Sequence, residues 1–169
     1  MLSMVGGFFI EEITQDVSLA DVAAPEIFDG SESKKAPFWD LPDLDGNRVL
    51  LADFSEKPLV LTFWTSWNEL AANQFSILDK LYAETEYREL FDIVAINSQE
   101  GRGKVFNFVS RGGYTLPIIL DELGAVGEEY GLRQTPTTYF IDKNGFIHEV
   151  FVGILDEKSL VEKVEKILD

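Results

Sequence analysis

Cysteine is absent from all 169 residues, and that one absence removes several chemistries. Structural disulfides, thiolate zinc sites, iron–sulfur clusters and cysteine nucleophiles are all excluded. The compartment stays open, because a chain without thiols survives in either redox environment. Basic residues are scarce as well: 14 Lys and Arg stand against 30 Asp and Glu, a formal net charge of −16. A field of that sign repels phosphate backbones and anionic headgroups, which disfavours nucleic-acid binding and membrane binding by the domain itself. The charge serves solubility first and attraction of a basic partner second.

Histidine is nearly absent. His148 is the only one, with no second ligand or acid–base partner at helix or strand spacing. It is therefore expected as a solvated or half-buried strand residue, and neither a metal site nor a cofactor is expected. Long apolar runs are missing too. "MLSMVGGFFI" at the start is too short to span a bilayer and carries no basic flank. It reads either as an arm packing on the domain or as the remnant of an anchor or signal segment.

What is present points to a packed globule. Hydrophobic residues make up 46% of the chain, Phe alone contributes 13, and the length suits one domain. Residues 1–35 read as an arm or linker, with "DGSESKK" the loop signal. Residues 36–169 read as the domain. Asp45-Gly46 marks a turn before a short strand near Val49–Leu51. "DLDG" here lacks the spaced ligands and closing glutamate of a calcium loop, and "GRGK" (101–104) lacks the spacing of a phosphate loop.

Leu59–Ser66 is a continuous apolar run, the mark of a strand buried on both faces. Glu69–Tyr87 has helical periodicity, with Leu70, Phe75, Leu78, Leu81 and Tyr82 on one face. Phe91–Ser98 is a second buried strand, so close behind the helix that it implies a βαβ unit with parallel strands. A short helix (103–113), a strand (116–121) and a helix (122–132) ended by Gly131 follow. "TTYFIDKNGFIHEVFVG" is a hairpin turning at Lys143-Asn144-Gly145. The last helix starts at an Asp156 cap and carries Leu160, Val164, Ile167 and Leu168 on one stripe. This order predicts a three-layer α/β/α domain with a mixed central sheet.

Four stretches together carry a family resemblance: "APFWDLPDLDGNRVLLADF" (36–54), "KPLVLTFWTSW" (57–67), "YGLRQTPTTYFIDKNG" (130–145) and "VGILDEKSL" (152–160). In register they resemble the thioredoxin-like superfamily, and more narrowly the TlpA/ResA-type domains related to the AhpC/TSA redoxins. The resemblance implies a thioredoxin fold, a cis peptide at Thr135–Pro136 and a Trp-Cys-x-x-Cys motif at the start of the first long helix. Trp67 stands in place, but the two cysteine positions fall on Asn68 and Ala71. The arginine, acidic residue and proline often found in the next turn fall on Ala72, Gln74 and Ser76. The resemblance also implies an extracytoplasmic setting, periplasmic or membrane-anchored.

Disulfide exchange needs a thiolate to attack sulfur and a second thiol to resolve the mixed disulfide. Asn68 can cap the helix but cannot do either. Two readings follow. One is a redox-inactive domain that binds a protein or extended peptide, in a groove formed by Trp67, Asn68, Glu69, Leu70, Thr135 and Pro136. The other is a thiol-disulfide oxidoreductase whose two cysteines were replaced by mutation. The plain structural reading of Asn68 and Glu69 is a helix cap and a first-turn acid. Strand alternation predicts that Trp64 and Trp67 point in opposite directions, one into the core and one onto the lip of a groove.

Overall fold

The computed structural model describes residues 34–168. A six-stranded mixed sheet forms the centre: β1 (Lys34–Lys35), β4 (Leu59–Trp64), β5 (Asp92–Ser98), β6 (Ile118–Asp121), β7 (Thr137–Ile141) and β8 (Phe146–Val152). Its spatial order is β1-β8-β7-β4-β5-β6. β4 runs parallel to β5 and β5 to β6, while β7 is antiparallel to both β4 and β8. Two short strands, β2 (Asp40–Pro42) and β3 (Arg48–Leu50), form a separate ribbon. Its turn is held by Asp43, whose Oδ1 accepts from the N–H groups of Asp45 and Asn47, with Gly46 at a positive φ of 88°.

Every side chain of β4 is buried, and the period of two sorts them onto two cores. Val60 and Trp64 join one core with Phe75, Val105, Leu160 and Val164, contributed by α1 (Glu69–Ala83), α3 (Arg102–Gly112) and α5 (Glu157–Glu165). Leu59, Leu61 and Phe63 join the other, with Trp39, Val126 and Tyr130 on the opposite face. Helix α4 (Ala125–Glu129) lies on that second face. The hydroxyls of Thr62 and Thr138, buried within the sheet, satisfy each other at 3.0 Å. Burial pushes the Tyr139 phenol up to about 12, and its hydroxyl donates to the Tyr130 carbonyl.

The single helix predicted over Glu69–Tyr87 is two. α1 ends at Ala83, and α2 (Thr85–Leu90) follows. Glu84 between them is extended, at φ −80° and ψ 116°, so it closes one helix and opens the next. Ala71, Gln74, Phe75, Leu78 and Leu81 form the buried stripe of α1. Leu70 sits one position off that stripe and is 43% exposed. Helix α4 is also much shorter than the predicted span of 122–132, because Gly124 and Gly131 hold positive φ on either side of it. The buried strand predicted over Leu59–Ser66 ends at Trp64, and the chain then turns toward α1.

The hairpin turns where predicted, with Gly145 at φ 82°. Asp142 Oδ1 accepts from the N–H groups of Asn144 and Phe146. His148 has a partner that spacing did not show: its Nε2 lies 2.9 Å from Asp142 Oδ2 across the hairpin.

Candidate functional site

The C-terminal ends of the parallel strands are where open α/β sheets place their sites, and here β4 delivers the chain into α1. Asn68 caps that helix, its Oδ1 accepting from the Leu70 N–H at 2.9 Å. The other end of the same amide reaches across the site: Asn68 Nδ2 donates to the Thr135 carbonyl. Thr135 precedes Pro136 through a cis peptide bond, as the resemblance implies. A second tie lies beneath, between the hydroxyls of Thr65 and Thr135 at 2.9 Å. The helix start and the proline loop are therefore joined by two side chains, 70 and 67 residues apart in sequence.

The two tryptophans separate, one into the core and one to the surface, although the strand ends at Trp64 and alternation does not reach Trp67. Trp64 is fully buried, its ring 4.3 Å from that of Phe75. Trp67, beyond the strand, is 72% exposed. Beside it lies a concavity of about 520 Å³ lined by Thr65, Gln99, Leu123, Arg133, Gln134 and Thr135. Leu123 opposite is 90% exposed, so the hollow has an apolar side chain on two of its edges. Of the six residues expected to form the groove, Trp67 and Thr135 line this hollow, and Asn68, Glu69, Leu70 and Pro136 do not. Glu69 is exposed in the first turn of α1, where an acid suits the helix dipole. Gln99 occupies the left-handed region at φ 60°, and its side chain lies over Gly124, where a Cβ would stand 2.6 Å from the amide nitrogen. A side chain at position 124 would push Gln99 out of the hollow's wall.

Sequence reasoning missed Glu100. It is 6% exposed and accepts from the Ser66 N–H, the Ser66 hydroxyl and Asn97 Nδ2. The Ser66 hydroxyl lies 2.7 Å from the carboxylate, and with three donors on its two oxygens Glu100 fixes the turn into α1. The signal available in the sequence was Asn97 near the end of an otherwise apolar strand, with Glu100 two residues past its last residue, Ser98.

Chemically, the frame of a dithiol site is present without the sulfur. Ala71 is 1% exposed, one helical turn below Asn68. Neither an amide nor a methyl can attack a disulfide or a peroxide.

The sequence profile of the AhpC/TSA family matches residues 33–150. The thiol-disulfide oxidoreductase ResA of Geobacillus thermodenitrificans is 31% identical over 132 residues, spanning 78% of this chain and 75% of that relative. The thioredoxin-like protein YneN of Bacillus subtilis is 28% identical over 137 residues, spanning 79% of each chain. Among solved structures, a Chlorobium tepidum protein assigned as the thiol:disulfide interchange protein DsbE superposes with a TM-score of 0.75 at 27% identity. That match covers 82% of this chain and 98% of the other. This chain belongs to the AhpC/TSA family, as a thioredoxin-like domain of the ResA type that has no cysteine at either position of the dithiol motif.

Proposed function

We propose that this domain is redox-inactive and binds a protein or an extended peptide at the hollow beside Trp67. One observation carries the reading: Asn68 is bonded at both ends of its amide, to Leu70 and to Thr135, while Trp67 next to it remains exposed. An asparagine that serves both the helix cap and the opposite loop suits its position. That favours natural loss of the dithiol over replacement of two cysteines by mutation. Gln74 supports the same reading, since its Oε1 accepts from the buried Leu155 N–H at 2.8 Å, and no change there is needed to remove thiol chemistry.

A peptide laid along the Thr135 loop gains main-chain bonds from strand addition and an aromatic anchor from Trp67. Asn68 already takes one acceptor position of the Thr135 carbonyl, so an incoming N–H uses the second lone pair or displaces the amide. The net charge of −16 favours a basic partner with salt-sensitive association.

The test uses the full chain and a blocked hexapeptide, Gly-Lys-Leu-Phe-Lys-Gly, followed by two-dimensional NMR. Shifts at residues 66–69 and 134–136 are expected. They should be lost in Trp67→Ala and kept in Asn144→Ala, an exposed position in the hairpin turn. Turnover of insulin disulfides above the buffer rate overturns the redox-inactive part. Shifts that survive Trp67→Ala overturn the binding part.

A further inference from the structure

On the other side of the α1 start lies a second cleft, of about 430 Å³, that shares no lining residue with the first. Its cationic wall comes from α3. Lys104, Asn107, Phe108 and Arg111 line it, and their spacing of three, four and seven puts them on one helical stripe. No acidic side chain lines the cleft, although Asp and Glu outnumber Lys and Arg by 30 to 14 in the chain. Arg48, Lys57, Lys80, Lys158 and Lys163 each hold an ion pair. Among the described residues Lys104 and Arg111 hold none, and neither do Lys34, Lys35, Arg88, Arg102, Arg133, Lys143 and Lys166; what sets Lys104 and Arg111 apart is that they share one cleft.

Helix energetics do not account for this arrangement. The first turn of a helix favours acids, yet α3 has no acid there and its Gly101 cap makes no side-chain bond. Arg102 has a local use, donating to the Leu44 carbonyl. Arg111 suits the last turn. Lys104 is in the turn where the dipole opposes it, and it faces the cleft.

The aromatic wall is built from packed rings. The Tyr114 ring stacks on Phe108 at 5.8 Å and meets the edge of Phe75 at 5.1 Å. It also covers Gly112, where a Cβ would lie 2.1 Å from the ring, so glycine is what lets the wall close. Phe106 on the same helix is exposed.

We propose that this cleft binds an acidic peptide segment of a partner protein, two carboxylates meeting Lys104 and Arg111 with an apolar side chain between them on Phe108 and Tyr114. The spacing favours a peptide over a single small anion. Seven helical residues separate the cations by about 10 Å along the axis, and carboxylates three residues apart on a polyproline-II chain, one turn on, share a face about 9 Å apart. A nucleic acid would bring further phosphates against the acidic remainder of the surface. This site is independent of the hollow beside Trp67 and selects the opposite charge.

The probe is a blocked, fluorescein-labelled hexapeptide, Gly-Glu-Leu-Phe-Glu-Gly, titrated into the full chain by anisotropy and mapped by NMR. Saturable binding that weakens with salt is expected, with shifts confined to 102–114 and residues 66 and 72. Lys104→Glu and Arg111→Glu should each weaken it by about tenfold or more, as should Gln for Glu in the peptide. Both substituted side chains are exposed, and circular dichroism of each variant verifies that the fold is kept. Absence of saturable binding, or equal binding by the charge-reversed variants, overturns the proposal. So does displacement by inorganic phosphate at low millimolar concentration, which marks a plain anion site. Shifts of residues 11–32 on Lys104→Glu in the free protein would also overturn it, showing the chain's own acidic segment in the cleft.

Discussion

The Asn68 side chain bridges the first turn of α1 and the Thr135 carbonyl, two elements that meet only through the fold. One amide does the work of a helix cap and of a loop clasp. Replacing it should therefore cost more than a cap alone. Loss of a capping Asn typically costs about 1 kcal/mol, and losing the second bond adds about 1 kcal/mol more. Asn68→Ala should lower the urea midpoint accordingly. Asn68→Asp should fall in between, because a carboxylate keeps the cap but cannot donate to Thr135. Equal stability of Asn68→Asp and the parent would show that the clasp contributes nothing.

Restoring the sulfur tests the frame directly. Asn68→Cys with Ala71→Cys places two thiols one turn apart at the start of α1, the first of them at the helix N-terminus, which stabilises a thiolate. The double variant should lose two free thiols under mild oxidant, counted by mass spectrometry after alkylation. Each single variant should keep its thiol free, that of Asn68→Cys reactive and that of Ala71→Cys slow to react because position 71 is buried. A double variant that stays reduced would show that the turn no longer has dithiol geometry. The parent chain should show neither insulin reduction nor peroxide turnover.

Much of this architecture could be read from the residues. The apolar run of β4, the Gly145 turn and the Asp156 cap all report local chemistry, and local chemistry is what periodicity and turn rules detect. The Trp64–Trp67 split was expected from alternation, but β4 ends at Trp64, and it is the turn into α1 that leaves Trp67 outside. Glu84 was less visible, since glutamate is a good helix former and only its backbone angles show the break. Leu123, inside the helix expected over 122–132, lies outside α4 because Gly124 is left-handed. Glu100 and the Asp142–His148 contact were hidden for a different reason. Their partners are set by how strands and turns meet, not by spacing within one helix or strand.

The hairpin should weaken in acid. Partial burial of Asp142 works to raise its carboxyl, but bonds from the Phe146 N–H, His148 and the Asn144 N–H outweigh it and leave it below the usual carboxylate range. A carboxyl depressed in the folded state stabilises the fold above its unfolded value, about 3.9, and that contribution is lost as pH falls through the lower, folded value. Thermal midpoints measured from pH 5 downward should drop less steeply in Asp142→Asn than in the parent. Parallel curves would remove Asp142 from the acid response.

Glu100 gives the sharpest test of how the site is built. Its carboxylate gathers three donors in a nearly dry setting. Glu100→Gln preserves the volume and keeps one acceptor oxygen for the Ser66 N–H and Asn97; its NH₂ group, at the other position, can donate to the Ser66 hydroxyl, which then gives up its own bond to the carboxylate. A buried donor left without a partner costs about 1–3 kcal/mol, so Glu100→Ala, which strands all three donors, should destabilise by at least that amount and Glu100→Gln by less. The loss should not be uniform over the molecule. Ser66 leads into Trp67 and Asn68, so amide exchange should accelerate first at residues 65–70 while β7 and β8 remain protected. A variant that loses stability evenly across the sheet would show that Glu100 supports the core at large and not the turn into α1.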